Sequence, residues 1–247
     1  MSVFISRQLH VPVLGKLASD YAVGESVFLN VGGVSREFLV VHQGIPSDMY
    51  DSSCDGTWLL QKHVFEQRQW HSSDVNDYKN SDIHAYLKNT FFGLFDTNFQ
   101  SAIKQVKIPY VNGQGDTGSV ESGSNGLSTK VFLLSGYEVG WTYNPNGVYL
   151  QYLPIDGACL DYFIGTFDTD AKRIAYFEGI PDEYGEGNCW SLRSPYTKSK
   201  YSPWRVAEDG YHESYNCVGV RGVRPAVILP NNALFDPDTN TFKGVAT

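Results

Sequence analysis

The stretch SVFLNVGGVSREFLVV (26–41) sets two β-rich runs, SVFLNV (26–31) and VSREFLVV (34–41), on either side of Gly32 and Gly33. Two-residue hairpin turns need positive φ, and glycine reaches it without steric cost, so the stretch predicts an antiparallel hairpin. DGTWLLQK (55–62) reads as a further strand after an Asp-Gly turn, and KVFLL (130–134) and RPAVIL (224–229) as apolar strands. Two helices are expected between them. Ser81 is placed to cap the first, with Asp82 in its first turn and Ile83, Tyr86, Leu87 and Phe91 on one face. Asp96 is placed to cap the second, with a stripe of Phe99, Ala102, Ile103 and Val106 and a stop at Pro109. Ser135 and Glu138 have capping-box spacing for a short third helix. The pattern predicts an α+β fold: two main helices near 81–107 on a small, twisted antiparallel sheet, followed by a loop-rich C-terminal half.

The chain of 247 residues suits one large domain. Residues 25–247 are read as that domain and residues 1–24 as an arm, either an edge strand or an attachment or oligomer contact. The Gly- and Ser-rich stretch 112–128 is a loop, not a boundary. Hydrophobic residues make up 42 % and charged residues 19 %, a balance that suits a globular protein and argues against disorder. The formal charge of −8 and the lack of any Lys/Arg cluster argue against nucleic acid as a partner. No apolar run is long enough for membrane insertion, and no signal peptide is legible. Cys54, Cys159, Cys189 and Cys217 form no CxxC pair, so free thiols are expected rather than a zinc site.

Few constellations carry chemistry. His71 in RQWHSSDVNDY (68–78) lies near Asp74 and Asp77, but no G-x-S-x-G elbow accompanies it, and no HExxH or P-loop exists. The expected role is a loop held by His71, Trp70 and Asp74. DTDAKR (168–173) and DPDTNT (236–241) alternate acidic oxygens as calcium loops do. In the second, Asp236, Asp238 and Asn240 match, but the Gly at the sixth position and the final Glu are missing, so a tight turn is expected and calcium stays open. Arg193 in CWSLRSPY (189–196) and Arg224 in GVRPAVILP (222–230) sit among apolar residues. A guanidinium there must be hydrogen-bonded or paired, so both are expected to brace the domain, with Trp190 and Pro225 beside them. Between these frame segments, residues 197–221 are rich in Tyr, Ser, Asp, His, Asn and Gly, the residues of adaptable binding loops. Tyr201, Trp204, Arg205, Asp209, Tyr211, His212, Tyr215 and Asn216 are the expected contacts.

W-x-LRSP (190–195) and GVRPA (222–226), with DGTWLLQK, RQWHSSDVNDY, NSDIHAYLKNTFFGLFD, AIKQVKIPY and KVFLLSGYEVG upstream, resemble the DUF6273 family of bacterial and phage domains. The resemblance runs from about Ser26 to Pro230. Ser191 is inserted where members read WLRSP. The same frame is similar, more distantly, to formylglycine-generating-enzyme-type domains, which implies a C-type-lectin-like fold. The catalytic cysteine pair of those enzymes has no counterpart here. Several proteins of that fold are targets of diversity-generating retroelements, and the composition of 197–221 is compatible with such diversification.

The resulting expectation is a binding module rather than an enzyme, encoded by a phage or prophage, with no cofactor and no metal. The expected partner is a surface protein or glycan, and the expected location is the virion, or the host-cell cytoplasm before assembly. Homo-oligomers through the N-terminal arm would be compatible with this. The alternatives are a structural virion protein that decorates a tail or capsid, and a formylglycine-generating-type enzyme.

Overall fold

The computed structural model describes residues 15–165, 171–178 and 188–246. The hairpin forms where its glycines place it. Ser26–Val31 pairs antiparallel with Val34–Gln43 out to Val31 opposite Val34, and Gly32 and Gly33 take φ of +63° and +81°. Thr57–Gln61, Ala226–Leu229 and Val131–Phe132 extend this hairpin into a five-stranded antiparallel sheet. Every residue of Thr57–Gln61 and Ala226–Leu229 is buried, which suits the consecutive apolar residues Trp58, Leu59 and Leu60 in the first and the wholly apolar second.

Gly56 leads into the first of these strands. A Cβ there would lie 2.2 Å from the Leu229 carbonyl oxygen of the neighbouring strand. Gly56→Ala is therefore expected to force the two strands apart and cost about 1–3 kcal/mol. The change should show as a lower denaturant midpoint with an unaltered slope; an unchanged midpoint would mean the approach is not tight.

A second five-stranded sheet runs in the order His212–Ser214, Pro203–Val206, Trp190–Pro195, Val220–Val223, Glu66–Gln69. It is mixed, because Trp190–Pro195 pairs in parallel with Val220–Val223 and the other pairs are antiparallel. The pairing of Trp190–Pro195 with Pro203–Val206 shifts register between Ser191 and Pro195, the stretch that carries the extra serine. Lys16–Leu17, Ala233–Phe235 and Phe242–Val245 form a small third sheet, and two short ribbons complete the β structure. One contiguous core joins these elements.

This architecture overturns the expected two-helix, C-type-lectin-like α+β fold. Among the described residues strand takes up 33 %, and the longest helical run has 13 residues, at 82–94. That run begins as the sequence predicts. Ser81 Oγ accepts from the His84 N–H at 3.2 Å, and Ile83, Tyr86, Leu87 and Phe91 are buried. Only Asp82–Tyr86 is α-helical, and the run continues as a π segment and a 3-10 turn. Asp96 caps a second helix, but Thr97–Ala102 is all of it. Ile103 is already extended, and Val106–Ile108 is a strand with Val106 and Ile108 inward. The stripe through Val106 misleads because a short helix followed by an alternating strand places apolar residues at nearly the same spacing. At Ser135 the reciprocal capping bonds to Glu138 form, at 3.1 and 2.9 Å, but only a turn follows. The loop-rich expectation for the C-terminal half holds for the described residues between 133 and 189, which form no named strand, whereas residues 190–246 supply seven of the described strands.

The expected arm is part of the domain in its described portion. Lys16–Leu17 pairs with Ala233–Phe235, and Ala18 and Tyr21 are buried. Residues 1–14, and any contact they make, lie outside the described residues.

Candidate ligand-binding site

The frame beneath the site is held by buried charge. Arg193 projects from Trp190–Pro195 and is fully buried. A guanidinium has five N–H donors, and here all five are engaged. Nε donates to the Pro109 carbonyl at 3.0 Å. Nη1 donates to the Leu133 carbonyl at 3.0 Å and to Glu138 Oε2 at 2.5 Å. Nη2 donates to Glu138 Oε1 at 2.6 Å and to the Asp156 carbonyl at 3.0 Å. Glu138 also accepts from the Tyr50 hydroxyl at 2.7 Å and from the Ser135 N–H. Arg224 is braced differently. Its Nε donates to the Gln61 carbonyl at 2.8 Å, and its guanidinium lies 4.9 Å from the centre of the Trp190 ring. No carboxylate joins it among the described residues, and burial pulls its pKa down to about 10. Trp190 and Pro225 are buried alongside.

Above the frame stands the hairpin formed by Pro203–Val206 and His212–Ser214, in register as Trp204 with Ser214, Arg205 with Glu213 and Val206 with His212. Its tip is a turn that local chemistry closes. The Ala207 N–H donates to the Tyr211 carbonyl, Gly210 adopts φ +83°, and Asp209 Oδ1 accepts from the Tyr211 N–H at 2.9 Å. From below, the fully buried Arg173 donates through Nε to the Gly210 carbonyl at 2.8 Å and through Nη1 to the Val139 carbonyl. Arg173 thus ties the tip to the loop that follows Ser135.

A groove of about 550 Å³ opens along this hairpin, with walls from Tyr149, Tyr211, His212, Glu208, Asp209 and Glu213. Tyr149 is half exposed, and its ring lies 6.4 Å from His212. Tyr211 stacks on His212 at 3.9 Å. Behind them, Trp141 and Trp204 pack against the buried face of His212 at 5.8 and 6.0 Å, so the aromatic wall stands on a rigid base. Burial acts to raise the Glu208 carboxyl. The Cys189 thiol, which donates to it at 2.7 Å, and the charges of Arg205 and Arg221 outweigh that and hold it below the usual range. Glu213 pairs with Arg205. The groove therefore combines aromatic faces with carboxylates that can accept hydrogen bonds.

The expected contacts divide. Asp209, Tyr211 and His212 line the groove together. Trp204 does not reach the surface at all; it is core, packed between Trp141, Tyr196 and His212. Arg205 is mostly buried, and its guanidinium stands 4.6 Å from the centre of the Tyr215 ring, with Arg221 3.5 Å from the same ring centre. Tyr201, Tyr215 and Asn216 are exposed but do not line the groove. Sequence reasoning missed Tyr149, Glu208 and Arg173. Glu208 lies inside the segment 197–221, beside the expected contact Asp209. Tyr149 offered a signal, as an aromatic in a turn-rich stretch beside Asn146-Gly147. Arg173 offered none, because the carbonyls of Gly210 and Val139 that it binds are distant in sequence.

The remaining motifs are structural. His71 Nδ1 lies 3.0 Å from Asp82, not from Asp74 or Asp77, and Trp70 donates to the Leu192 carbonyl. Asp236 accepts from the Asp238 and Thr239 N–H groups and pairs with Lys243, while Asn240 takes φ +54° and accepts from the Tyr21 hydroxyl. These oxygens close a turn between two strands. Of DTDAKR, residues 168–170 lie outside the described residues. Among the described residues no cluster of His, Cys, Asp or Glu is arranged for a metal, and no helix is long and apolar enough to cross a membrane. The run from Gly113 to Gly118 has G-x-G-x-x-G spacing, but it is the loop of a ribbon between Tyr110–Asn112 and Ser119–Glu121. It does not join a strand to a helix, the setting a dinucleotide site requires.

Fold and site together define a predominantly β domain with an aromatic and acidic groove along a hairpin. Over residues 55–231 the chain matches the model of the family described as Domain of unknown function (DUF6273), and it belongs to that family. Comparison with curated proteins and with solved structures gives no match.

Proposed function

We propose that this protein is a non-catalytic binding module that recognises a surface glycan through the groove along the 203–214 hairpin. The observation that carries the reading is the placing of Tyr149 and Tyr211 beside the carboxylates of Glu208 and Asp209 in one open groove. Aromatic faces stack on the C–H faces of a sugar ring, and carboxylates accept hydrogen bonds from its hydroxyls. The role as a receptor-binding protein of a phage or prophage is part of the proposal. The link to retroelement-diversified proteins rested on the lectin-like fold and is dropped with it. Burial of the thiols supports binding over catalysis. It pushes Cys189 and Cys217 up to about 12, so both stay protonated and poorly nucleophilic at neutral pH.

The test is a glycan array and a host-surface pull-down with the wild-type protein, followed by titration of variants. Tyr211→Ala is expected to cost ~2 kcal/mol of binding, roughly 30-fold in Kd, with melting little changed. Trp204→Ala should lower melting, as a core aromatic must. Equal binding by Tyr211→Ala and wild type would remove the groove from recognition. No binding to any glycan or host surface would favour a structural role on a virion.

A further inference from the structure

We propose a second site, for an oxyanion, in the hollow between the helical run at 82–94 and the strand Leu127–Thr129. The hollow has a volume of about 530 Å³ and is separate from the groove, sharing none of its residues. Ser81, His84 and Lys88 line one wall at three- and four-residue steps, so the same face of the helical run supplies all three. Lys79 stands just before that run, and Asn125 and Ser128 face them from the other wall.

The charge of this hollow departs from that of the molecule. The chain carries a net charge of −8, yet none of the residues lining the hollow is acidic and two are lysines. Lys16, Lys62 and Lys243 are each matched by a carboxylate at 3.0 Å. Lys79 and Lys88 have no hydrogen bond or ion pair among the described residues. His84 adds an independent observation. Its side chain is nineteen-twentieths buried, since the residue is only 5 % exposed, and its Nδ1 has no hydrogen-bond partner. Burial, reinforced by Lys88, pulls its pKa down to about 4, so the ring is neutral and one nitrogen carries a proton. Nδ1 itself is closed off from solvent, so a ligand in the hollow would meet only the small exposed edge of the ring.

Two ammonium groups, a neutral imidazole and flanking amide and hydroxyl groups in a hollow without carboxylates match phosphate, sulfate or a carboxylate. The size of the hollow leaves room for a small molecule that bears such a group.

The experiment is calorimetric titration of the full chain with inorganic phosphate, sulfate and acetate, at ionic strength held constant with sodium chloride. At least one of the three is expected to bind saturably at one site per chain. Phosphate or sulfate would identify a tetrahedral dianion site, and acetate alone a carboxylate site. Lys79→Gln/Lys88→Gln should weaken binding about tenfold or more while melting as wild type does, because both side chains are exposed. Lys88→Arg should retain most of the affinity. Tyr211→Ala should leave anion binding untouched, which separates this site from the groove. Absence of saturable binding by all three anions, or equal binding by the double lysine variant, would overturn the proposal.

Discussion

Arg193→Ala is expected to lower stability by about 3–5 kcal/mol, a fall of about 6–20 °C in Tm for a domain of this size. The guanidinium gathers Pro109, Leu133, Glu138 and Asp156 around the strand Trp190–Pro195. Removing it leaves the buried carboxyl of Glu138 without its counter-charge and three main-chain carbonyls without these donors, besides a cavity the size of the side chain. The charge itself is not what a folded core needs. The double change Arg193→Met/Glu138→Leu removes both ions and keeps volume, so it should cost less than Arg193→Ala alone. Thermal and denaturant unfolding of both variants and the wild type would decide the matter. A Tm for Arg193→Ala within about 2 °C of wild type would show that the pair does not hold the frame.

Asp156 is expected to make the domain less stable as pH rises, opposite in sign to most carboxylates. Its side chain is fully buried, with Ser194 Oγ at 2.9 and 2.8 Å from its two oxygens. Burial raises its pKa from 3.8 to about 7, against the pull of the Arg193 charge and the Ser194 hydroxyl. Between those values the folded state holds a proton that the unfolded state has released. The contribution of this group is therefore fully present below pH 3.8 and is lost as pH rises through 7. The difference of about three pKa units corresponds to about 4 kcal/mol. Asp156→Asn keeps a neutral side chain at every pH. Its stability relative to wild type should thus rise by up to about 4 kcal/mol between pH 4 and pH 8. Measuring both proteins across that range cancels the other titrating groups. Parallel profiles would mean that Asp156 ionises as an ordinary aspartate.

Much of this molecule was legible from local chemistry. Gly32-Gly33 announced the hairpin because only a residue without Cβ takes two positive φ angles cheaply. Ser81 and Asp96 announced both helix starts, since each cap is a bond between residues three apart. The burial of Arg193 and Arg224 followed from their apolar neighbours in sequence. The hairpin that bears Asp209, Tyr211 and His212 fell within the segment expected to bind.

What failed depends on partners far along the chain. Trp204 reads as a surface anchor from its polar neighbours, yet Trp141 and Tyr196 enclose it. Ser135 and Glu138 read as a helix start, yet Glu138 is drawn inward by an arginine 55 residues later. The helical stripe after Asp96 breaks at Ile103 because Val106–Ile108 finds a strand partner in Leu127–Thr129. By itself, the sequence determined the turns, the caps and the residues that must be buried, since backbone sterics and neighbouring bonds act within a few residues. Only the tertiary structure decided the β-dominated architecture, the carboxylate that neutralises Arg193 and the aromatic, Tyr149, that joins Tyr211 in lining the groove. Those choices come from packing and desolvation between segments separated by tens of residues, and no local pattern encodes which segments will meet.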